Sequence, residues 1–87
     1  MNKLQELMVI TMEECGELTQ VCSKTIRKFK TIKEIDDNIL EKLTEETGDV
    51  LCMLQLMIKH NIISEDDIQK RADAKMKKLK KWSSLIE

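Results

Sequence analysis

Met12-Glu13-Glu14-Cys15-Gly16-Glu17-Leu18 and Glu45-Glu46-Thr47-Gly48-Asp49-Val50 each carry two carboxylates three residues apart. On a helix such a pair leaves one face with Cβ atoms about 5–6 Å apart, a spacing at which two oxygens can grip one hard cation. Spacing alone decides little. Acidic pairs of this kind occur at Glu14/Glu17, Glu34/Asp37 and Glu46/Asp49, and about three are expected by chance in a helical chain so rich in charge. Register is more informative. Glu14 and Asp49 are equidistant from a turn at Thr31–Ile32, and so are Glu17 and Glu46. An antiparallel helix hairpin turning there brings the two pairs level.

The carboxylates also interrupt apolar stripes. Ile10, Glu14, Glu17 and Val21 follow one another at helical steps, and Glu46 and Asp49 run into Met53 and Leu56 in the same way. A solvated acidic face is not interleaved like this. Converging, half-buried carboxylates repel one another and lose hydration, so they call for a compensating cation.

The 87 residues suit one domain, 1–87, whose core is limited by its size. Lys plus Arg number 15 against 16 Asp plus Glu, a net charge of −1 that gives no reason to expect a nucleic acid polymer or an anionic membrane as partner. Phe29 and Trp82 are the only aromatics, too few for stacking single-stranded bases. With no proline and only Gly16 and Gly48, the chain has no linker and no glycine-rich phosphate loop. Three cysteines without a Cys-x-x-Cys motif, and no cleavable leader pattern, fit a reducing cytoplasm. The longest apolar run, Val50 to Ile58, is interrupted by Gln55 and falls far short of the roughly 20 residues of a membrane span.

Leu4, Met8, Thr11, Cys15, Leu18, Cys22 and Phe29 trace one stripe, widened by Leu7, Ile10 and Val21, so residues 3–29 read as an amphipathic helix with Cys15 and Cys22 as small core residues. A short connection follows. Thr31 with Glu34 offers a capping box there, and Asp36 or Asp37 competes as N-cap of a later helix. From about Ile39 to Lys59 the pattern is helical again, with Ile39, Leu43, Val50, Leu54, Met57 and Ile58 as its main face. Its second half is apolar on nearly every side, more than two companion helices can cover, and self-association is the economical answer. Gly16 and Gly48 lie inside these helices, marking either close approach of backbone or ligand, or a tolerated loss.

Asn61 suits the left-handed cap conformation, and His60 beside it lies about three turns beyond Asp49, too far to be counted a ligand. Ser64-Glu65-Asp66-Asp67 opens a third helix. Ile68, Ala72, Lys75, Leu79 and Trp82 share its stripe, with Lys75 where the pattern wants an apolar residue. Arg71 and Lys78 flank it, a row able to hold phosphate oxygens. A solvated basic tail is the other reading of the run Lys75 to Lys81, and the preferred one for Lys77, Lys80 and Lys81.

Glu13-Glu14-x-x-Glu17, then Glu46-x-x-Asp49 within Glu-Glu-x-Gly-Asp-Val-Leu, then a lysine-bearing third helix, together resemble the MazG-like all-α nucleoside triphosphate pyrophosphohydrolases over nearly the whole chain. The resemblance implies an all-α, three-helix chain forming a bundle completed as a homodimer or homotetramer. It implies Mg²⁺-dependent hydrolysis, with Mn²⁺ as a possible substitute, of the α–β phosphoanhydride of an NTP or dNTP to a monophosphate and pyrophosphate. Glu14, Glu17, Glu46 and Asp49 would be the metal ligands, Glu13 a further ligand or the base, and Lys75 and Lys78 the phosphate-binding cations. Position 78 is lysine where the family often has arginine, which alters bidentate phosphate recognition. The alternatives are phosphoribosyl-ATP pyrophosphohydrolase, which shares the reaction type, and a non-catalytic helical oligomerisation module.

Overall fold

The computed structural model describes residues 1–86. It holds three α-helices, α1 (Lys3–Lys28), α2 (Asp37–Lys59) and α3 (Glu65–Trp82), with a 3-10 turn at Ile32–Glu34 and no strand among the described residues. The chain forms two compact units, Met1–Leu56 and Met57–Glu87, the first containing α1 and most of α2, the second the end of α2 and all of α3.

In the first unit α1 begins with a capping box. The Asn2 side chain accepts from the Gln5 amide at 2.8 Å and Gln5 Oε1 accepts from the Asn2 amide at 3.1 Å. Such a cap is worth about 1 kcal/mol. The box expected at Thr31 and Glu34 does not form: Thr31 makes no side-chain cap, and Glu34 Oε2 instead accepts from the Lys30 amide at 2.8 Å. Asp36 is the N-cap of α2, its Oδ1 accepting from the Ile39 amide at 2.9 Å, which lets the helix start at Asp37.

The seam between α1 and α2 is rotated from the stripe that the apolar residues alone suggest. On α1 the buried side chains are Leu7 and Val21, while Leu4, Cys15 and Cys22 are exposed. On α2 they are Ile39, Glu46 and Met53, and Leu54 is exposed. Cys15 and Cys22 are thus corrected from core to surface. A hairpin gives each helix one neighbour, which can cover only part of a wide apolar arc. Thr11 and Thr25 fit beside this seam because each hydroxyl donates to the carbonyl one turn back, Leu7 and Val21, at 2.7 Å.

Equal rotations on two antiparallel helices point to the same side of the pair. Glu17 and Asp49 are turned one way from the seam. Leu4, Cys15 and Cys22 on α1, with Leu40, Thr47, Leu51 and Leu54 on α2, are turned the other way and are exposed. The hairpin therefore has an acidic side and an apolar side. A Cβ added at Gly16 or Gly48 would meet nothing within 4 Å, so neither glycine marks a close approach within the chain.

The second unit opens on the end of α2. Asn61 takes φ 58, its amide donates to the Ile58 carbonyl, and the Ile62 amide donates to Met57, both at 3.0 Å. This is the Schellman pattern, and asparagine tolerates its left-handed position. Ser64 then caps α3, its hydroxyl accepting from the Asp67 amide at 3.4 Å. No residue of α3 is buried. No helix among the described residues is long and apolar enough to cross a membrane.

Candidate metal centre

The hairpin brings Glu14 and Glu17 of α1 against Glu46 and Asp49 of α2, with one oxygen of each lying within 4.8 Å of the others. This is the level pairing that the turn near Thr31 dictates. Glu46 is only 9% exposed and Glu14 is half-buried, so these two form the floor. Glu17 and Asp49 are exposed and form the rim.

Glu14 Oε2 and Glu46 Oε2 are buried without a hydrogen-bond partner. Burial is the main cause raising the Glu14 carboxyl above its ordinary 4.5, with the charges of Glu17 and Asp49 adding to it. Glu46 is raised by burial, then by its contact with Glu17 and the charges of Glu17, Asp49 and Glu45. Two carboxyl groups can hydrogen-bond only if one keeps a proton. Contacts between Glu14 and Asp49, and between Glu46 and Glu17, are therefore available to the protonated cluster and become repulsive when it ionises.

Among the described residues no ion pair relieves this: the one present, Lys42 with Glu45 at 3.7 Å, lies outside the quartet. A hard divalent cation fits what remains: an all-oxygen donor set, converging, with two orphaned buried oxygens. Glu13 is exposed beside the cluster and is not one of the four.

Arg71, Lys75 and Lys78 belong to the second unit and are all exposed. Lys75, although set in an apolar stripe, is not desolvated: α3 buries no residue, so that stripe is itself open to solvent. Arg71 and Lys75 line an open depression of about 990 Å³ whose apolar wall includes Ile62, Ile63, Ile68 and Ala72. Lys75 Nζ lies 5.4 Å from the centroid of the Trp82 ring, a contact not read from the sequence although the two residues share a stripe two turns apart. His60 is exposed at the end of α2 and joins no cluster. The quartet, with its two unpartnered buried oxygens, is the feature with unmet chemistry.

Comparison with protein-family models, with curated proteins and with solved structures finds no match.

Proposed function

We propose that the chain is a Mg²⁺-dependent nucleotide pyrophosphohydrolase, Mn²⁺ serving in place of Mg²⁺, that cleaves the α–β phosphoanhydride of nucleoside triphosphates to a monophosphate and pyrophosphate. The observation that carries this reading is the pair of buried, unpartnered oxygens of Glu14 and Glu46 within a four-carboxylate cluster. The likeness of the acidic motifs to the MazG-like family supplies the reaction type.

Glu14, Glu17, Glu46 and Asp49 would hold the cation. When bound, Mg²⁺ polarises phosphate oxygens and makes water a better nucleophile. The chain's part is to keep the floor oxygens fixed by the seam while the exposed rim admits phosphate. Glu13, exposed beside the cluster, takes the proton of the water that attacks the α-phosphorus. The bond to the bridging oxygen then breaks and pyrophosphate leaves. In the second unit Arg71, Lys75 and Lys78 form a cationic row, and the family likeness assigns its two lysines to phosphate binding.

We further infer that the chain works as a homodimer or homotetramer. Leu7, Val21, Ile39 and Met53 are its buried apolar residues, while Leu51 on the hairpin's apolar side is 53% exposed. Dissociation is then coupled to unfolding, and the melting temperature rises with protein concentration. Three exposed free thiols accord with the reducing cytoplasm where we place the protein.

The test is incubation with Mg²⁺ and a panel of ribo- and deoxyribonucleoside triphosphates and phosphoribosyl-ATP, resolving both products. Equimolar monophosphate and pyrophosphate is expected. Orthophosphate release alone, or no turnover on any member, overturns the reading.

A further inference from the structure

Lys75 interrupts an apolar stripe, and its only contact of charge among the described residues is the Trp82 ring, 5.4 Å from Nζ. We propose that Trp82 is a positioning residue, its ring holding the Lys75 ammonium in place for an anionic phosphate ligand without neutralising it. The proposal rests on the reading that Lys75 meets the phosphates of the substrate.

A carboxylate partner would fix a lysine just as well but would cancel the charge that phosphate needs. The nearest acid along α3, Asp73, is two residues away and leaves the helix on another face, where its Oδ1 accepts from Gln69 Nε2 at 3.0 Å. An aromatic face attracts the ammonium through its quadrupole and leaves hydrogen-bond donors free. Trp82 is well suited to this task. It is the last residue of α3, its backbone is fixed in the helix, and its side chain is 68% exposed, so the ring is not held there by burial. A freely rotating lysine would lose much of its rotamer freedom on meeting phosphate, and a lysine already resting on the ring loses less.

Trp82 is the chain's only tryptophan, so its emission reports the ammonium directly. The full chain is titrated with inorganic pyrophosphate in the presence of Mg²⁺. Emission is expected to change saturably in the wild type and in Lys81→Met, and to stay flat in Lys75→Met. In steady-state kinetics Trp82→Leu is expected to raise KM about 2- to 5-fold with kcat kept, the range an exposed cation–π contact supports. Trp82→Phe, which keeps a π face, recovers most of that loss. Circular dichroism verifies that both variants remain helical. If the wild type turns over nucleotide but Trp82→Leu matches it, or Trp82→Phe is as impaired as Trp82→Leu, the positioning role is overturned while the enzyme reading stands. If the wild type turns over nothing, that reading fails, and a pyrophosphate-dependent emission change lost in Lys75→Met still supports the anion site.

Discussion

Two groups of like charge distinguish the two units, and they arise in different ways. The quartet of Glu14, Glu17, Glu46 and Asp49 converges from two helices, so the hairpin forces four negative charges to within 4.8 Å of one another. Arg71, Lys75 and Lys78 follow one helix at turn spacing, each exposed and hydrated. Local sequence can place the second arrangement at almost no cost, whereas the fold must hold the first against repulsion and lost hydration. Removing a charge should therefore do opposite things to stability and function in the quartet, and affect function alone in the cationic row.

The strongest form of this contrast is Glu46→Gln with Glu17→Gln. Mg²⁺-dependent turnover is expected to fall to background in both, while the metal-free proteins stay folded and melt somewhat higher than wild type. Asp37→Asn is the matched control, because Glu34/Asp37 has the same spacing but lies in the connection and the first turn of α2. It should leave turnover unchanged. Near-normal activity in either glutamine variant, or its unfolding, would remove the quartet as the metal centre.

In the cationic row the expected loss is smaller. Lys75→Met keeps the stem and removes the charge, and kcat/KM should fall on the order of 10- to 100-fold, since charge-assisted contacts are worth about 1.5–3 kcal/mol. Mg²⁺ affinity should hardly change. Lys80→Met and Lys81→Met are the controls, and a similar drop in all three would indicate a diffuse field with no specific contact.

The hairpin register was legible in the sequence because it depends only on the distance of each acidic pair from one turn. The helix ends were legible where capping chemistry is unambiguous, as at Asn61 and Ser64. The rotation of the seam was not. Fitting a stripe to apolar residues placed Cys15 and Cys22 in the core, whereas the line of contact runs through Leu7, Glu14 and Val21, with the carboxylate at its centre. A carboxylate set within the line of contact misleads a hydrophobicity fit in just this way. Thr31 and Glu34 misled for another reason: where the chain turns as a 3-10 helix, Glu34 accepts from the Lys30 amide and Thr31 makes no side-chain cap.

Proton linkage separates the quartet from the row more gently. The carboxyls of Glu14 and Glu46 are raised, chiefly by burial, so the folded protein holds protons that the unfolded chain has released. Their contribution to stability is fully present below the ordinary carboxylate value of 4.5 and is lost as pH rises through the raised values. Without metal, the gap in melting temperature between Glu46→Gln and wild type should accordingly widen as pH rises from the ordinary carboxylate range toward neutrality. Adding Mg²⁺ should stabilise the wild type most at neutral pH, where the ion has least competition from protons, and Glu46→Gln far less. A gap that stays constant across this range would mean that Glu46 titrates as an ordinary surface acid.

The smallest effect concerns the two glycines, which sit in matching helices beside the quartet. Gly16→Ala adds a methyl group to open space in a helix interior, and alanine is favoured there by about 0.8–1 kcal/mol. For a domain of this size that corresponds to a melting temperature roughly 4–8 °C higher per kcal/mol. Gly48→Ala has the same room within one chain, yet Gly48 lies in a shallow depression on α2 bounded by Leu43, Thr44, Thr47 and Leu51. If a second copy packs on that flank, the added methyl takes space its side chains would use. The gain at Gly48 should then be smaller than at Gly16, and the deficit should grow with protein concentration as the assembled form fills. Equal gains at every concentration would mean that the flank of α2 around Gly48 stays free, and the interface would have to be sought on the α1 half of the apolar side.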